Sequence, residues 1–429
     1  MKLKRDLIAI LVFCFGYRLF YFVFLHPGLI LYNSDSVSYF VDVNIFSGLI
    51  DMYRTPVYPY VLKCFEYLSG QHFIRNLLLF QQVVSFLSII PFYYISRYVF
   101  KNRFLVVATT LFYACWTRLL QHNVNINPEC LCIAGSTLAL FLFVKYLEGP
   151  KTHKAFFIGF FPLILIMLKP VYVVALLVVL LFLLFRFVLA REERKILYWG
   201  LLGWLTAVAG VWGYCEMNRK YNGDFTLSKI ELNNSIANIV ISGAYKYGGD
   251  KVLIKAIDTT KQKGFYTSVY FLNNEYADNY TQHSKDFPAE LLPTDDMKFY
   301  AGIPNIVNYS HERTSLFVQH SRHTMVYFKY IMTRTEDIFL SYISLLLVVF
   351  LEMVFFSYTF IKQRQLAWGE SLCILFVLGQ FVTIILGGID DIDRLLIPAY
   401  PFIIILIGAF LGILISFGQK RLLERGSRS

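Results

Sequence analysis

The sequence predicts an all-α, polytopic membrane protein. Long apolar runs, an oily composition and a one-sided distribution of basic residues together predict it. Residues 7–29, 338–361 and 395–417 are each near the roughly 20 residues that a helix needs to cross a hydrocarbon core of about 30 Å. Only Arg18 and Glu352 interrupt these runs with a formal charge, and each must face a partner or a polar cavity rather than lipid. The chain is 57% hydrophobic and only 16% charged, with a mean hydropathy of +0.53. A soluble protein of this size and balance would aggregate.

Ten spans are read in order, at 7–29, 77–98, 104–121, 128–146, 156–169, 171–190, 197–215, 338–361, 370–387 and 395–417. Pro170 divides the fifth from the sixth, or else marks a kink. Lys and Arg set the sidedness. Lys2, Lys4 and Arg5, then Lys101 and Arg103, then Lys145, Lys151 and Lys154 collect at one set of ends. Arg191, Arg194, Lys195, Lys362, Arg364, Lys420, Arg421, Arg425 and Arg428 join them. Ten spans put all of these on one face, which is therefore expected to be cytoplasmic. The net charge of +11 is mostly this bias and argues against a nucleic-acid partner. The first run is too long for a typical signal peptide and lacks a small-residue cleavage pattern, so it is expected to remain as a helix. Cys14, Cys115, Cys130, Cys132, Cys215 and Cys373 lie in or beside spans, so a disulfide framework is not expected. Cys130 and Cys132 lack the His or Cys company of a metal site.

The chain reads as one integral-membrane domain, 1–429, with no sequence repeat and no soluble domain of its own fold. Four segments face outward. The first external loop, 30–76, carries short apolar stretches at helical spacing and is expected to form one or two interface helices. Then come the link 121–127, the large external loop 216–335, rich in Tyr, Asn and Lys, and the segment 387–394. Residues 315–332 within the large loop are expected to form a helix returning along the membrane surface. Residues 418–429 form a cytoplasmic tail.

The charges near the outer edge of the membrane are the candidate functional groups. Asp35, just after the first span, has a simple alternative as a helix N-cap. Glu129 opens the fourth span behind Pro128, a residue suited to a first helical turn. A carboxylate there is favoured by the helix N-terminus but is costly in the bilayer unless paired or facing a polar cavity. Lys169 ends the apolar run 161–168 and raises the same question with opposite sign. An ion pair between helices, or snorkelling of Lys169 to the surface, would be the non-functional explanations. Asp390, Asp391, Asp393 and Arg394 form the densest cluster. An arginine there offers a rigid fork of donors matched to phosphate oxygens, though a headgroup anchor would also use one.

Read in chain order, these positions resemble the integral-membrane glycosyltransferases of the GT-C fold. The likeness is nearest to the bacterial branch related to protein O-mannosyltransferases and the aminoarabinose transferase of lipid A. Asp35 stands where that family keeps an essential acid in its first external loop. Arg54-Thr55-Pro56-Val57-Tyr58-Pro59 resembles its Arg/Pro-x-Tyr-Pro segment. Asn127-Pro128-Glu129 matches its second acid, and Leu168-Lys169-Pro170 its Lys at the outer end of the fifth span. The stretch 221–228 resembles a Gly-x-Phe-x-Leu-Ser segment after the seventh. Asp393-Arg394 with Pro398 and Pro401 resembles the late Glu-Arg-Tyr-x-x-Pro-x-x-Pro signature, with Leu395 in place of the aromatic residue and extra aspartates beside it.

The resemblance implies transfer of a sugar from a polyprenyl-phosphate-linked donor to a lipid, glycan or protein acceptor on the outer face. It implies Asp35 as general base or acceptor-positioning acid, supported by Glu129. Arg394 and Lys169 would recognise the donor phosphate, with Arg54 and Arg118 behind them and Tyr58, His122, Asp393 and Asp391 in support. A divalent cation, Mg²⁺ or Mn²⁺, held by Asp35 and Glu129 is left open, since carboxylates suit either ion. The implied location is a bacterial cytoplasmic (inner) membrane with the site facing the periplasm or exterior. A transporter or flippase of lipid-linked sugars is the alternative, with Glu129 and Lys169 on the translocation path.

Overall fold

The computed structural model describes residues 2–25, 36, 39–40, 44, 50–51, 53–228, 230–262, 311–363, 368–387 and 395–426. Helices build it, with no β-sheet among the described residues. In chain order they are α1 (Lys2–Phe20, continued by a π-helical turn Tyr21–Leu25), α2 (Val57–Ser69), α3 (Phe73–Leu87), α4 (Ile89–Val99) and α5 (Arg103–Cys115). Next come α6 (Glu129–Glu148), α7 (Thr152–Leu168), α8 (Val173–Leu189) and α9 (Arg194–Asn222). After these follow α10 (Ile230–Ser242), α11 (Lys251–Gln262), α12 (His311–Arg322), α13 (Met325–Ser341), α14 (Ile343–Gln363), α15 (Trp368–Gly387) and α16 (Tyr400–Gly426).

Among the described residues eight helices are long and apolar enough to cross a membrane, and a bent pair adds a ninth. Three expected spans differ in form. The segment read as 77–98 is the end of a helical stretch from Val57 to Val99, broken at Gly70. That stretch has 43 residues, far more than one crossing needs. The segment read as 156–169 is the 17-residue α7, about 25 Å long at 1.5 Å per residue. Pro170 ends it outright: Lys169 takes an extended backbone, as a residue before proline prefers. The segment read as 338–361 is divided at Tyr342, where α13 and α14 meet at 79°.

The tightest contact is between α7 and α9. A Cβ added at Gly159 would lie 2.1 Å from the Gly200 carbonyl oxygen, and one at Gly203 would lie 2.1 Å from that of Phe156. Without side chains at these points the backbones themselves touch, the usual means by which helices associate where lipid removes the hydrophobic drive. The Trp204 indole N–H donates to the Leu176 carbonyl at 2.8 Å and ties α8 to the pair.

Both intramembrane charges are buried as the bilayer requires. Arg18 donates to the Ala114 carbonyl at 3.2 Å and to the Ser85 hydroxyl at 3.2 Å, with its guanidinium 5.8 Å from the Phe86 ring. Glu352 is 3% exposed. All seven cysteines are free.

Helices α10 to α13 enclose a second, smaller core of Ile236, Ile239, Val240, Tyr245, Leu253, Ile257, Phe317, Val318 and Tyr327. No such core is expected from the sequence, where these apolar residues stand in short runs among polar ones, such as 239–241 and 316–318. Arg334 and Tyr330 both donate to the Asn238 side-chain oxygen, at 2.6 and 3.1 Å. Tyr245 donates to Asp258 at 2.6 Å; burial and that carboxylate hold its phenol up at about 12.

Candidate functional site

Glu129 sits at the end of the bundle opposite the basic termini. The chain approaches it through a short helical turn, Thr117–Gln121, a 3₁₀ turn, His122–Val124, and an extended Asn125. Pro128 then starts α6. The Asn127 side-chain oxygen accepts from the Glu129 N–H at 3.4 Å. The Glu129 carboxylate is fully buried, and Lys169 donates to its Oε1 at 2.9 Å with only 11% of the lysine side chain exposed. Because Lys169 lies just past the end of α7, the two ends of neighbouring helices deliver one charge each.

A second group comes from the end of the first loop. The Asp51 carboxylate turns the chain by accepting from the backbone N–H groups of Tyr53, at 2.7 Å, and Arg54, at 2.5 Å. Burial pushes its acid up to about 6, partly opposed by these two bonds and by the Arg54 charge. Arg54 is buried. Its guanidinium lies 4.3 Å from the Tyr39 ring centroid and donates to the Tyr39 hydroxyl at 3.2 Å. Tyr39 meets Tyr58 edge-on at 5.1 Å, and the Tyr58 hydroxyl donates to Gln81 at 3.1 Å. Gln81 in turn donates to the carbonyls of Asn123, at 3.1 Å, and Asn125, at 2.9 Å.

The stretch after α9 braces this loop from the other side. Gly223, at φ +81°, turns the chain out of the helix. Asn222 donates to the Ile50 carbonyl at 3.0 Å, Asn218 to that of Thr226 at 2.8 Å, and the Ser228 hydroxyl to that of Tyr53 at 2.5 Å. The segment 221–228 is thus a clamp on residues 50–54.

The structure therefore brings Glu129 to Lys169, and Arg54 to Tyr58 through Tyr39. Arg118 is exposed on its helical turn and His122 is half-buried beside it. Asp35, Asp390, Asp391, Asp393 and Arg394 lie outside the described residues. Leu395, which follows Arg394 in the chain, offers its carbonyl to the fully buried Gln380 at 3.0 Å. The 3₁₀ turn Ile397–Ala399 then packs on α6, and Tyr400 contacts Trp116 at 5.1 Å between ring centroids. Among the described residues no three His, Cys, Asp or Glu side chains group as metal ligands. The cation beside Glu129 is the Lys169 ammonium. It occupies Oε1 of the carboxylate, and Asp35, the other carboxylate named for a divalent ion, lies outside the described residues.

Sequence reasoning passes over Asp51, Gln81, Asn218 and Gln380. Gln81 and Gln380 do carry a signal, since each is an amide inside an apolar run and a buried amide must find partners.

Residues 53–214 match the family of dolichyl-phosphate-mannose-protein mannosyltransferases. No curated protein matches the chain. Among solved structures, the apo oligosaccharyltransferase of Archaeoglobus fulgidus is similar at a TM-score of 0.52 and 14% identity, covering 98% of this chain and 52% of that one. The same enzyme with Zn and sulfate gives 0.52 and 13%, covering 96% and 50%. The oligosaccharyltransferase AglB from that organism, with an inhibitory peptide and a dolichol-phosphate, gives 0.51 and 13%, covering 99% and 52%. The chain spans about half the length of these structures. The fold is thus the all-α, GT-C-like membrane fold of those structures.

Proposed function

We propose that this multi-pass membrane protein transfers a sugar from a polyprenyl-phosphate-linked donor to a hydroxyl of a lipid, glycan or protein acceptor. The observation that carries the reading is the buried Glu129–Lys169 pair, at a helix end within the region matching the mannosyltransferase family. A carboxylate and an ammonium held together near the membrane edge suit a reaction that moves a proton from one oxygen and relieves charge on another. The C1–O bond to the carrier phosphate breaks as the bond from C1 to the acceptor oxygen forms. Asp35 takes the acceptor proton as base, and Glu129 orients the acceptor or shares that proton. The departing phosphate is stabilised by Lys169 and Arg394, with Arg54 and Arg118 behind them. Tyr58 and His122 support these groups, and Asp391 and Asp393 precede Arg394 in the chain.

Residues 1–429 act in this reading as one membrane domain. Its first external loop is 30–76, its large external loop is 216–335, and its cytoplasmic tail is 418–429. The Lys/Arg bias supports a site on the outer face. The resemblance to the bacterial branch supports a bacterial inner membrane, with the site toward the periplasm. No step is assigned to Mg²⁺ or Mn²⁺.

Purified protein in nanodiscs is expected to release polyprenyl phosphate from a labelled polyprenyl-phosphate hexose in the presence of a hydroxyl acceptor, and Asp35→Asn is expected to nearly abolish this. Movement of the labelled donor across a liposome without a new glycosidic bond would support a flippase instead.

A further inference from the structure

We propose that Gln81 is a positioning residue of this site, fixing the segment that carries Glu129 against the segment that carries Arg54 and Tyr58. The inference rests on the transferase reading for its kinetic consequence but not for its geometry. Gln81 lies in α3, belongs to neither segment, and is completely buried. All three hydrogen-bonding positions of its side chain that face these segments are used. The Oε1 accepts from the Tyr58 hydroxyl at 3.1 Å, and Nε2 donates to the carbonyls of Asn123 at 3.1 Å and Asn125 at 2.9 Å. Its main-chain carbonyl accepts from the Cys130 thiol at 3.3 Å, the residue after Glu129.

The orientation of the amide is determined by its partners. Turned over, it would set its oxygen against two carbonyls, whereas the Tyr58 hydroxyl can donate or accept. One side chain therefore spans two loops that the chain separates by about 70 residues. On the Tyr58 side the contact continues through the Tyr39 ring to the Arg54 guanidinium. On the other it continues through Asn125 and Asn127 to the Glu129 N–H. Gln81 holds the distance between the cation of one segment and the acid of the other, and a displacement of about 1 Å can cost on the order of 100-fold in rate.

Gln81→Leu removes all three side-chain bonds, and Tyr58→Phe removes only one. Gln81→Leu is expected to lower kcat on the order of 10- to 100-fold with donor KM within about twofold, and Tyr58→Phe to lower it by a few-fold. Combined with Glu129→Gln, Gln81→Leu should add almost nothing, because the acid it positions is already lost. A second readout needs no turnover. Lys169 is held by Glu129, so in Gln81→Leu and, less strongly, in Tyr58→Phe it should react faster with a membrane-permeant amine reagent, followed by mass spectrometry. If Gln81→Leu does not fold, the Tyr58→Phe arm carries the test. Unchanged Lys169 reactivity in the folded variants, or kcat losses that multiply with Glu129→Gln, would overturn the proposal. Faster Lys169 labelling in the variants, together with wild-type protein that makes no glycosidic bond, would overturn the transferase reading and leave the positioning role standing.

Discussion

The frame around Glu129 and the smaller core of α10 to α13 are held together by opposite means. The frame is cross-linked by polar groups and by bare backbone contact: Lys169 to Glu129, Gln81 to two segments, Asn222 and Ser228 to residues 50–54, and glycine against main chain between α7 and α9. The smaller core packs aromatic and branched side chains in the manner of a soluble protein, with Asn238 and Asp258 binding its polar edges. The difference follows from the surrounding medium. Lipid gives apolar side chains no reason to leave it, so the bundle gains specificity from close backbone approach and from polar groups that must be paired. Helices α10 to α12 are not among the candidate spans, and for a core built on them the removal of apolar area from water suffices.

The contrast is broken most severely at Gly159. In Gly159→Leu the new side chain meets the Gly200 carbonyl and the Trp204 amide, neither of which can move without its helix. Destabilisation above about 4 kcal/mol is expected, seen as loss of monodisperse protein on gel filtration after extraction. A variant that extracts and melts like wild type would remove backbone contact as the basis of this interface.

The next effect separates the structural from the chemical role of the ion pair. Lys169→Met leaves Glu129 buried without its ammonium and should cost about 3–5 kcal/mol, read as a fall in melting temperature in detergent. Adding Glu129→Gln should recover much of that stability, since a neutral amide no longer needs a cation. Activity should stay lost. Recovery of turnover together with stability would show that the pair only holds helices together.

The two regions were not equally legible from sequence. Spans are written in long apolar runs, and Glu129 and Lys169 stand out because a charge at the membrane edge needs an explanation. What the runs do not carry is where helices bend. Nothing in residues 338–361 marks the 79° turn at Tyr342, and the 57–99 stretch is interrupted at Gly70, within what reads as a loop. Within the site, Arg54 and Tyr58 are findable as a motif, but the bonds that seat them come from Gln81, Asn218 and Asn222, whose partners are mostly backbone carbonyls. Carbonyl positions are set by tertiary packing and leave no trace in residue identity. The second core was illegible for a similar reason: its apolar residues meet only after four helices fold around one another.

Phe317→Ala sharpens the comparison from the other side. It deletes a side chain that is 2% exposed at the middle of the smaller core, and should cost about 3 kcal/mol locally. Hydrogen exchange should quicken in α10 and α12 while α6, α7 and α9 keep their protection. Loosening of the Glu129 frame to the same degree would show that the two regions fold as one cooperative unit.

The smallest effect is at Asp51, where the frame carries an acid that burial raises from 3.8 to about 6. Between these values the folded protein holds a proton that the unfolded chain has already released. Stability from this group is therefore full below about pH 4 and declines as pH rises through 6. Above pH 6 the folded state carries a carboxylate in a partly dry pocket, stabilised by two backbone N–H groups and the Arg54 charge. Asp51→Asn keeps a side-chain oxygen to accept from Tyr53 and Arg54 but cannot ionise. It should stabilise by about 1 kcal/mol at pH 7.5, the full linkage being discounted for partial solvent access, and the gain should vanish near pH 4. Melting curves at the two pH values measure it. An equal change at both, or a loss at pH 7.5, would mean that the ionised form is itself needed to hold the Arg54 guanidinium over Tyr39, and that the turn at residues 51–54 belongs to the charge network of the site as well as to its scaffold.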